Sequence, residues 1–202
     1  MKKSKLIVFA KAPVPGRVKT RLGYSIGMLN AARVYRTLCS DFLRKVNNLP
    51  EIDIEVWATP DTHHPLFLWC RRVLGLKVKR QPEGDLGERM YRSIKASLKE
   101  YSTVILTGTD MPEISISDLQ KSVEVLDGGY DVVFAPSTDG GYGLVAVQQS
   151  IHSIFYNMPW SCENVLEVSL LRLKRSHLKS FLLDTYDDID TLSDYKKFLK
   201  QQ

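Results

Sequence analysis

The sequence predicts an α/β protein built on a mainly parallel sheet. Short apolar runs alternate with longer segments of helical periodicity, and the intervening lengths suit crossover connections. Loops rich in Gly, Pro and Asp follow several of the apolar runs, where open parallel sheets bind ligands. The 202 residues are 44% hydrophobic and 25% charged, a globular composition able to bury a large core. One domain over 1–202 is therefore expected.

The elements follow in order. Residues 6–10 form a buried strand, and residues 26–46 a helix with apolar positions at Ile26, Leu29, Val34, Leu38, Phe42 and Val46. Residues 52–58 alternate as a strand. Residues 64–74 read as a helix stopped by Gly75, and 76–80 as a short strand. Leu86, Met90, Ile94 and Leu98 mark the next helix, 103–106 a strand, and Ile116, Leu119, Val123 and Leu126 a helix closed by Gly128 and Gly129. Strands at 131–135 and 144–147, a helix at 161–176, a strand at 178–183 and a helix at 193–201 complete the chain.

Charge and cysteine usage narrow the function classes. The net charge is +5, which suits nucleic acid, an anionic surface or a phosphorylated small molecule. No aromatic–basic module accompanies it, so no nucleic-acid partner is expected. No run approaches the ~18 apolar residues of a membrane span, and Lys11 interrupts the short apolar run at 6–10, so no signal peptide is expected. Cys39, Cys70 and Cys162 are odd in number and lack redox or metal spacing, which suits a cytoplasmic protein. Nothing in the sequence sets an oligomeric state.

Three loops carry the candidate chemistry. Residues 11–21 place Lys11, Arg17, Lys19 and Arg21 after the first strand, with Gly16 shaping the loop and Thr20 offering a hydroxyl. Charge and forked donors of this kind suit a diphosphate. The alternative is a solvated basic loop, and the Walker A pattern is absent. Asp110 ends the strand at 103–106 and is either a turn aspartate or a ligand for Mg²⁺ or Mn²⁺, cations that take oxygen donors. Asp139-Gly140-Gly141-Tyr142 is either a hairpin turn or a segment that lets a substrate approach the backbone.

Other positions carry two readings as well. Asp85 and Glu88 have capping-box spacing, with Asp85 a substrate contact in the second reading and Arg89 within reach of substrate. Trp160 is either a packed ring or a platform for a base or sugar, and Ser161 is most simply a helix cap. Asp184, Asp187, Asp188 and Asp190 cluster before the last helix, to complete a metal site or to cap that helix. The His residues lack zinc spacing.

The ordered motifs Lys11-x-Pro-x-x-Gly-x-x-Lys-Thr-Arg-Leu22, Asp85-Leu-Gly-Glu-Arg-Met90, Gly108-Thr-Asp110, Asp139-Gly-Gly-Tyr142, Trp160-Ser161 and Asp188-x-Asp190-Thr191 span nearly the whole chain. Together they resemble the bacterial DUF2064 family, glycosyltransferases associated with radical-SAM proteins, some linked to arsenosugar biosynthesis. The resemblance implies a three-layer α/β/α sandwich of the GT-A, nucleotide-diphospho-sugar transferase type. Asp110 would then correspond to the metal-binding aspartate, here in Thr-Asp rather than Asp-x-Asp form, with Asp188 and Asp190 completing the site. Loop 11–21 and Asp188-x-Asp190 also resemble guanylyltransferases that activate phospholactate or phosphoenolpyruvate. Gly143 stands where relatives carry a bulkier residue, and Cys162 where a threonine is expected.

The expected function is transfer of a sugar from a nucleoside-diphosphate sugar to a small-molecule acceptor. Arg17 and Lys19 would stabilise the leaving diphosphate, Asp139 would orient the acceptor or act as base, and Gly140, Gly141, Tyr142 and Trp160 would shape the substrate site. The alternatives are nucleotidyl transfer from a nucleoside triphosphate and a non-catalytic nucleotide-binding subunit.

Overall fold

The computed structural model describes residues 3–160 and 162–200. Its strands are β1 (Ser4–Lys11), β2 (Ile52–Thr59), β3 (Lys77–Arg80), β4 (Thr103–Thr107), β5 (Val132–Pro136), β6 (Tyr142–Val147) and β7 (Ser180–Leu182). Its helices are α1 (Thr20–Ile26), α2 (Met28–Val46), α3 (Pro65–Arg72), α4 (Leu86–Ser97), α5 (Ile116–Asp127), α6 (Val165–Arg175) and α7 (Leu192–Lys200). The seven strands form one sheet in the order β3-β2-β1-β4-β6-β5-β7. All neighbouring pairs are parallel except β4–β6 and β6–β5. β6 reverses because the connection from Pro136 to Tyr142 is too short to cross over the sheet.

Both faces of the sheet are covered, which is the physical reason the central strands read as apolar runs rather than alternating ones. Leu6, Val8 and Ala10 of β1 pack with Tyr35, Cys39 and Phe42 of α2, Phe67 of α3 and Leu119 of α5. Ile7 faces the other way, into a cluster with Met90 and Ile94 of α4, Leu173 of α6 and Phe155 of the segment between β6 and α6. The result is the three-layer α/β/α architecture expected, with a mixed, mostly parallel sheet.

The differences from the sequence reading lie at element ends. The helix expected at 26–46 is α2, which starts at Met28; Ile26 ends a separate helix, α1, set off by Gly27 at φ 88°, and Thr20 and Arg21 open α1 rather than belonging to a loop. On α2, Leu29 faces solvent while Tyr35 and Cys39 face the core. α3 begins after His64, whose ring nitrogen accepts the Leu66 N–H at 3.2 Å, a cap the sequence did not announce. α6 starts at Val165, four residues later than expected, and β7 shrinks to three residues. Ser161, read as a helix cap, and residue 201, read as the end of the last helix, lie outside the described residues.

One buried ion cluster crosses the β1-β2-β3 edge. Glu55, 1% exposed, meets Lys5 at 2.8 Å and Lys79 at 3.0 Å, and accepts the Trp57 indole N–H at 2.8 Å. Burial pushes the Glu55 carboxyl up, but the bonds from Lys5, Lys79 and Trp57 outweigh it and hold the group below its ordinary value. Removing one partner of a buried pair leaves the other charge stranded. Glu55→Gln is therefore expected to cost about 3–5 kcal/mol in urea unfolding. Because the folded pKa is depressed, the contribution is complete above the unfolded value of about 4.3 and is lost as pH falls through the folded value. Acid titration of stability should accordingly be shallower in Glu55→Gln than in the wild type.

Candidate active site

Chain direction gathers the functional loops. The segments after β1, β4 and β5, and the stretch between β7 and α7, meet around a cleft of about 680 Å³ at the carboxyl ends of the parallel strands. Lys11, Arg17, Lys19, Thr20, Arg21, Arg89, Asp110, Asp139, Gly141, Tyr142, Trp160, Asp188 and Asp190 all line it. Gly16, Asp85 and Gly140 do not.

Asp85 caps α4. Its carboxylate accepts the Glu88 N–H at 2.9 Å while the Glu88 carboxylate accepts the Asp85 N–H at 3.2 Å, a reciprocal capping box. Gly140, at φ 88°, turns its Cα towards the Glu163 backbone, where a Cβ would stand 1.8 Å from the carbonyl oxygen. Its missing side chain makes room for protein rather than ligand. Gly143 is similarly crowded, with Met111 Sδ 2.0 Å from where a Cβ would stand, so a bulkier residue there requires Met111 to move.

Lys19 is the centre of the cleft. Its ammonium lies 2.8 Å from Asp110 Oδ1 and 2.9 Å from Asp190 Oδ1, and its side chain is 3% exposed. Burial lowers its pKa, but Asp110 and Asp190 together outweigh that and hold it above the usual lysine value. Arg21 approaches the second Asp190 oxygen at 3.8 Å. Asp188 stands among these acids, and burial, then Asp190 and Asp139, push its carboxyl up to about 6.

Backbone bonds fix these side chains. Ile189 N–H donates to the Asp110 carbonyl at 3.2 Å, and Thr138 N–H to the Tyr186 carbonyl at 3.1 Å, so the segment before α7 is sewn to the loops after β4 and β5. Asp194 accepts the N–H groups of Asp190 and Thr191, capping α7 and setting the direction of Asp190. Behind Asp110, the buried Tyr35 hydroxyl accepts the Lys11 N–H at 2.9 Å and the Thr109 hydroxyl at 3.4 Å, and Thr109 takes the Cys39 thiol at 3.1 Å. Asp139 Oδ1 accepts the Ser137 hydroxyl and, at 3.0 Å, the Gly141 N–H.

At the far end, Arg89 donates to Gln81 Oε1 at 3.1 Å and to the Asp85 carbonyl at 3.2 Å, while Gln81 donates to the Trp57 carbonyl at 2.9 Å. The Trp160 ring meets Tyr142 edge-on at 6.4 Å, and its buried indole N–H has no partner among the described residues. Gln81 and Tyr35 were missed by sequence reasoning. Gln81 follows an unremarkable edge strand, and only the unnoticed core-facing phase of α2 could have pointed to Tyr35.

Five cations and four carboxylates line the cleft, so net charge alone does not make it an anion site. The pairing decides. Lys19 and Arg21 face Asp110 and Asp190, whereas Lys11, Arg17 and Arg89 have no ion-pair partner among the described residues. Those three are available to an anion. The donor set also suits a divalent cation. Asp110 and Asp190 hold one cationic group between them, and Asp188 adds an oxygen donor nearby. Among the described residues no three ligating side chains form a closed cage, so oxygens from a substrate would have to complete the shell, as Mg²⁺ commonly requires.

The family profile described as "uncharacterized protein conserved in bacteria (DUF2064)" matches residues 42–162. A solved protein from Desulfovibrio desulfuricans, provisionally assigned as a nucleotide-diphospho-sugar transferase, is 30% identical, with a TM-score of 0.90 over 100% of this chain and 88% of that one. The chain belongs to the DUF2064 family. More distant folds include 4-diphosphocytidyl-2C-methyl-D-erythritol synthase from Anaerococcus prevotii, at 12% identity and TM-score 0.66 over 100% and 97% of the two chains. A Mycobacterium tuberculosis protein in complex with manganese gives 13% identity and TM-score 0.61 over 100% of both chains. No curated protein matches in sequence. This DUF2064 protein thus has the nucleotide-diphospho-sugar transferase fold, and no helix among its described residues is long and apolar enough to cross a membrane.

Gly140→Ala tests the loop geometry directly. The added methyl group meets backbone on a positive-φ residue, and overpacking of this kind costs about 1–3 kcal/mol. Thermal unfolding should show the loss, and an unchanged melting temperature would mean that the Gly140 and Glu163 segments are not packed as described.

Proposed function

We propose that this DUF2064 protein is a metal-dependent transferase acting on a nucleotide-activated substrate, most specifically a glycosyltransferase that uses a nucleoside-diphosphate sugar. The observation that carries the reading is the division of charge in the cleft, where unpaired cations lie beside a carboxylate pair already holding a cation. A sugar nucleotide presents both a diphosphate for the former and phosphate oxygens to complete a metal shell at the latter. The 30% identical relative provisionally assigned to the same activity supports this choice.

The residues divide the work. Lys11 and Arg17 bind the diphosphate, and Arg89, braced by Gln81, binds a polar group at the other end of the donor. Asp110 and Asp190, with Asp188 beside them, would hold Mg²⁺ or Mn²⁺, which when bound neutralises charge growing on the leaving diphosphate. Asp139 faces the same space with Oδ1 fixed by Ser137 and Gly141, so its carboxylate is oriented to accept the proton of an acceptor hydroxyl. Trp160 and Tyr142 supply an aromatic wall for a sugar or base. Three free thiols suit a reducing cytoplasm.

Nucleotidyl transfer is the second reading, favoured by the density of cations in loop 11–21. There the acceptor phosphate attacks the α-phosphorus and pyrophosphate leaves. Phosphorus NMR of the reaction separates the two, since glycosyl transfer releases a nucleoside diphosphate and nucleotidyl transfer releases pyrophosphate. In the productive reaction, Asp110→Asn should lower kcat by about 10²–10³ with the fold retained. Lys11→Ala with Arg17→Ala should instead weaken diphosphate binding more than nucleoside binding in calorimetric titration. Equal weakening of both would remove the phosphate assignment.

A further inference from the structure

We propose that Lys19 is the resident counter-ion of the Asp110–Asp190 pair and yields its place when a divalent cation binds, moving to the diphosphate of the incoming substrate. The proposal rests on the metal-dependent reading above. Lys19 Nζ sits 2.8 and 2.9 Å from one oxygen of each carboxylate, and only 3% of its side chain is exposed, so it fills the space between them. Asp110 Oδ1 is buried and has no hydrogen-bond partner of good geometry among the described residues, leaving the ammonium as its neutralising contact. Arg21 approaches Asp190 from the exposed side and can stay when Lys19 leaves.

A divalent cation and the Lys19 ammonium cannot both sit between these two carboxylates. Mg²⁺ binds carboxylate oxygens at about 2.0–2.1 Å, which would set it within about 4–5 Å of an ammonium on the same groups, a strongly repulsive spacing in a half-buried cleft. A diphosphate offers the displaced lysine a new partner, and lysine suits the exchange because its charge is compact and its stem flexible. The backbone at Lys19 is already unusual for a residue with a side chain, at φ 45° and ψ 46°, where the chain leaves the phosphate loop and enters α1. Lys19 thereby makes metal and nucleotide cooperative: each favours the state in which the ammonium has left the aspartates. Without an anion, the lysine protects a carboxylate pair that would otherwise repel itself.

The test is direct Mn²⁺ binding, followed by the loss of the free-ion electron paramagnetic resonance signal, on nucleotide-free wild type, Lys19→Met and Lys19→Arg. Lys19→Met should bind Mn²⁺ at least tenfold more tightly than wild type, and Lys19→Arg should stay close to wild type. Adding inorganic pyrophosphate should narrow the gap by drawing the wild-type lysine away. Mn²⁺ binding by Lys19→Met that is equal to or weaker than wild type overturns the exchange while leaving the metal-dependent function standing. No Mn²⁺ binding by any form, with or without pyrophosphate, overturns both. Should Lys19→Met fail to fold, the Lys19 side-chain ammonium resonance of the wild type decides. It must move on titration with Mg²⁺ and pyrophosphate, and a resonance unmoved at saturation overturns the proposal.

Discussion

The ion triad of Lys19, Asp110 and Asp190 is the constraint on which the active-site end of the molecule depends. Its members come from the loop after β1, the loop after β4 and the segment leading into α7. These are remote in sequence, 171 residues apart in the widest pair, and nothing local would hold them together. Like-charged aspartates near one another would drive their loops apart without a central cation, and Asp188 beside them is pushed up first by burial and then by its neighbours Asp190 and Asp139. The hydrogen bond from Ile189 to the Asp110 carbonyl and the Asp194 cap on α7 make the triad rigid rather than merely neutral.

The sheet supplies the platform. Parallel strands put all their carboxyl ends on one edge, but β5 and its loop would contribute little without the reversal of β6. By turning back through residues 137–141, the chain delivers Asp139 and Tyr142 to the same edge and inserts β6 between β4 and β5. Tyr186 then pairs beside Ser137 and carries Asp188 and Asp190 into place. Covering both faces with helices leaves this edge as the surface where polar loops can converge without breaking the core.

Recognition in such a cleft depends on which charges are already matched. Under the proposed function, anion affinity would come from the cations left without carboxylate partners, and cation affinity from carboxylates that must give up an internal partner. That arrangement would tie the two affinities together, as a ligand presented as a metal–diphosphate complex requires.

The fold was legible in the sequence because its signals are local. Strand runs such as 103–106 are apolar on both faces, helices such as α4 and α5 keep their period and their caps, and Gly or Pro marks the turns. The ends of elements were less legible, since the split at Gly27 and the late start of α6 depend on packing between segments. The cationic loop and each aspartate were also visible, as residue types placed after strands. Only the tertiary structure decided how they are used: Asp85 and Gly140 serve local geometry, Lys11, Arg17 and Arg89 are left free, and Lys19 is committed to two aspartates. Pairing between distant charges is set by three-dimensional proximity and burial, and neither is written in the spacing along the chain.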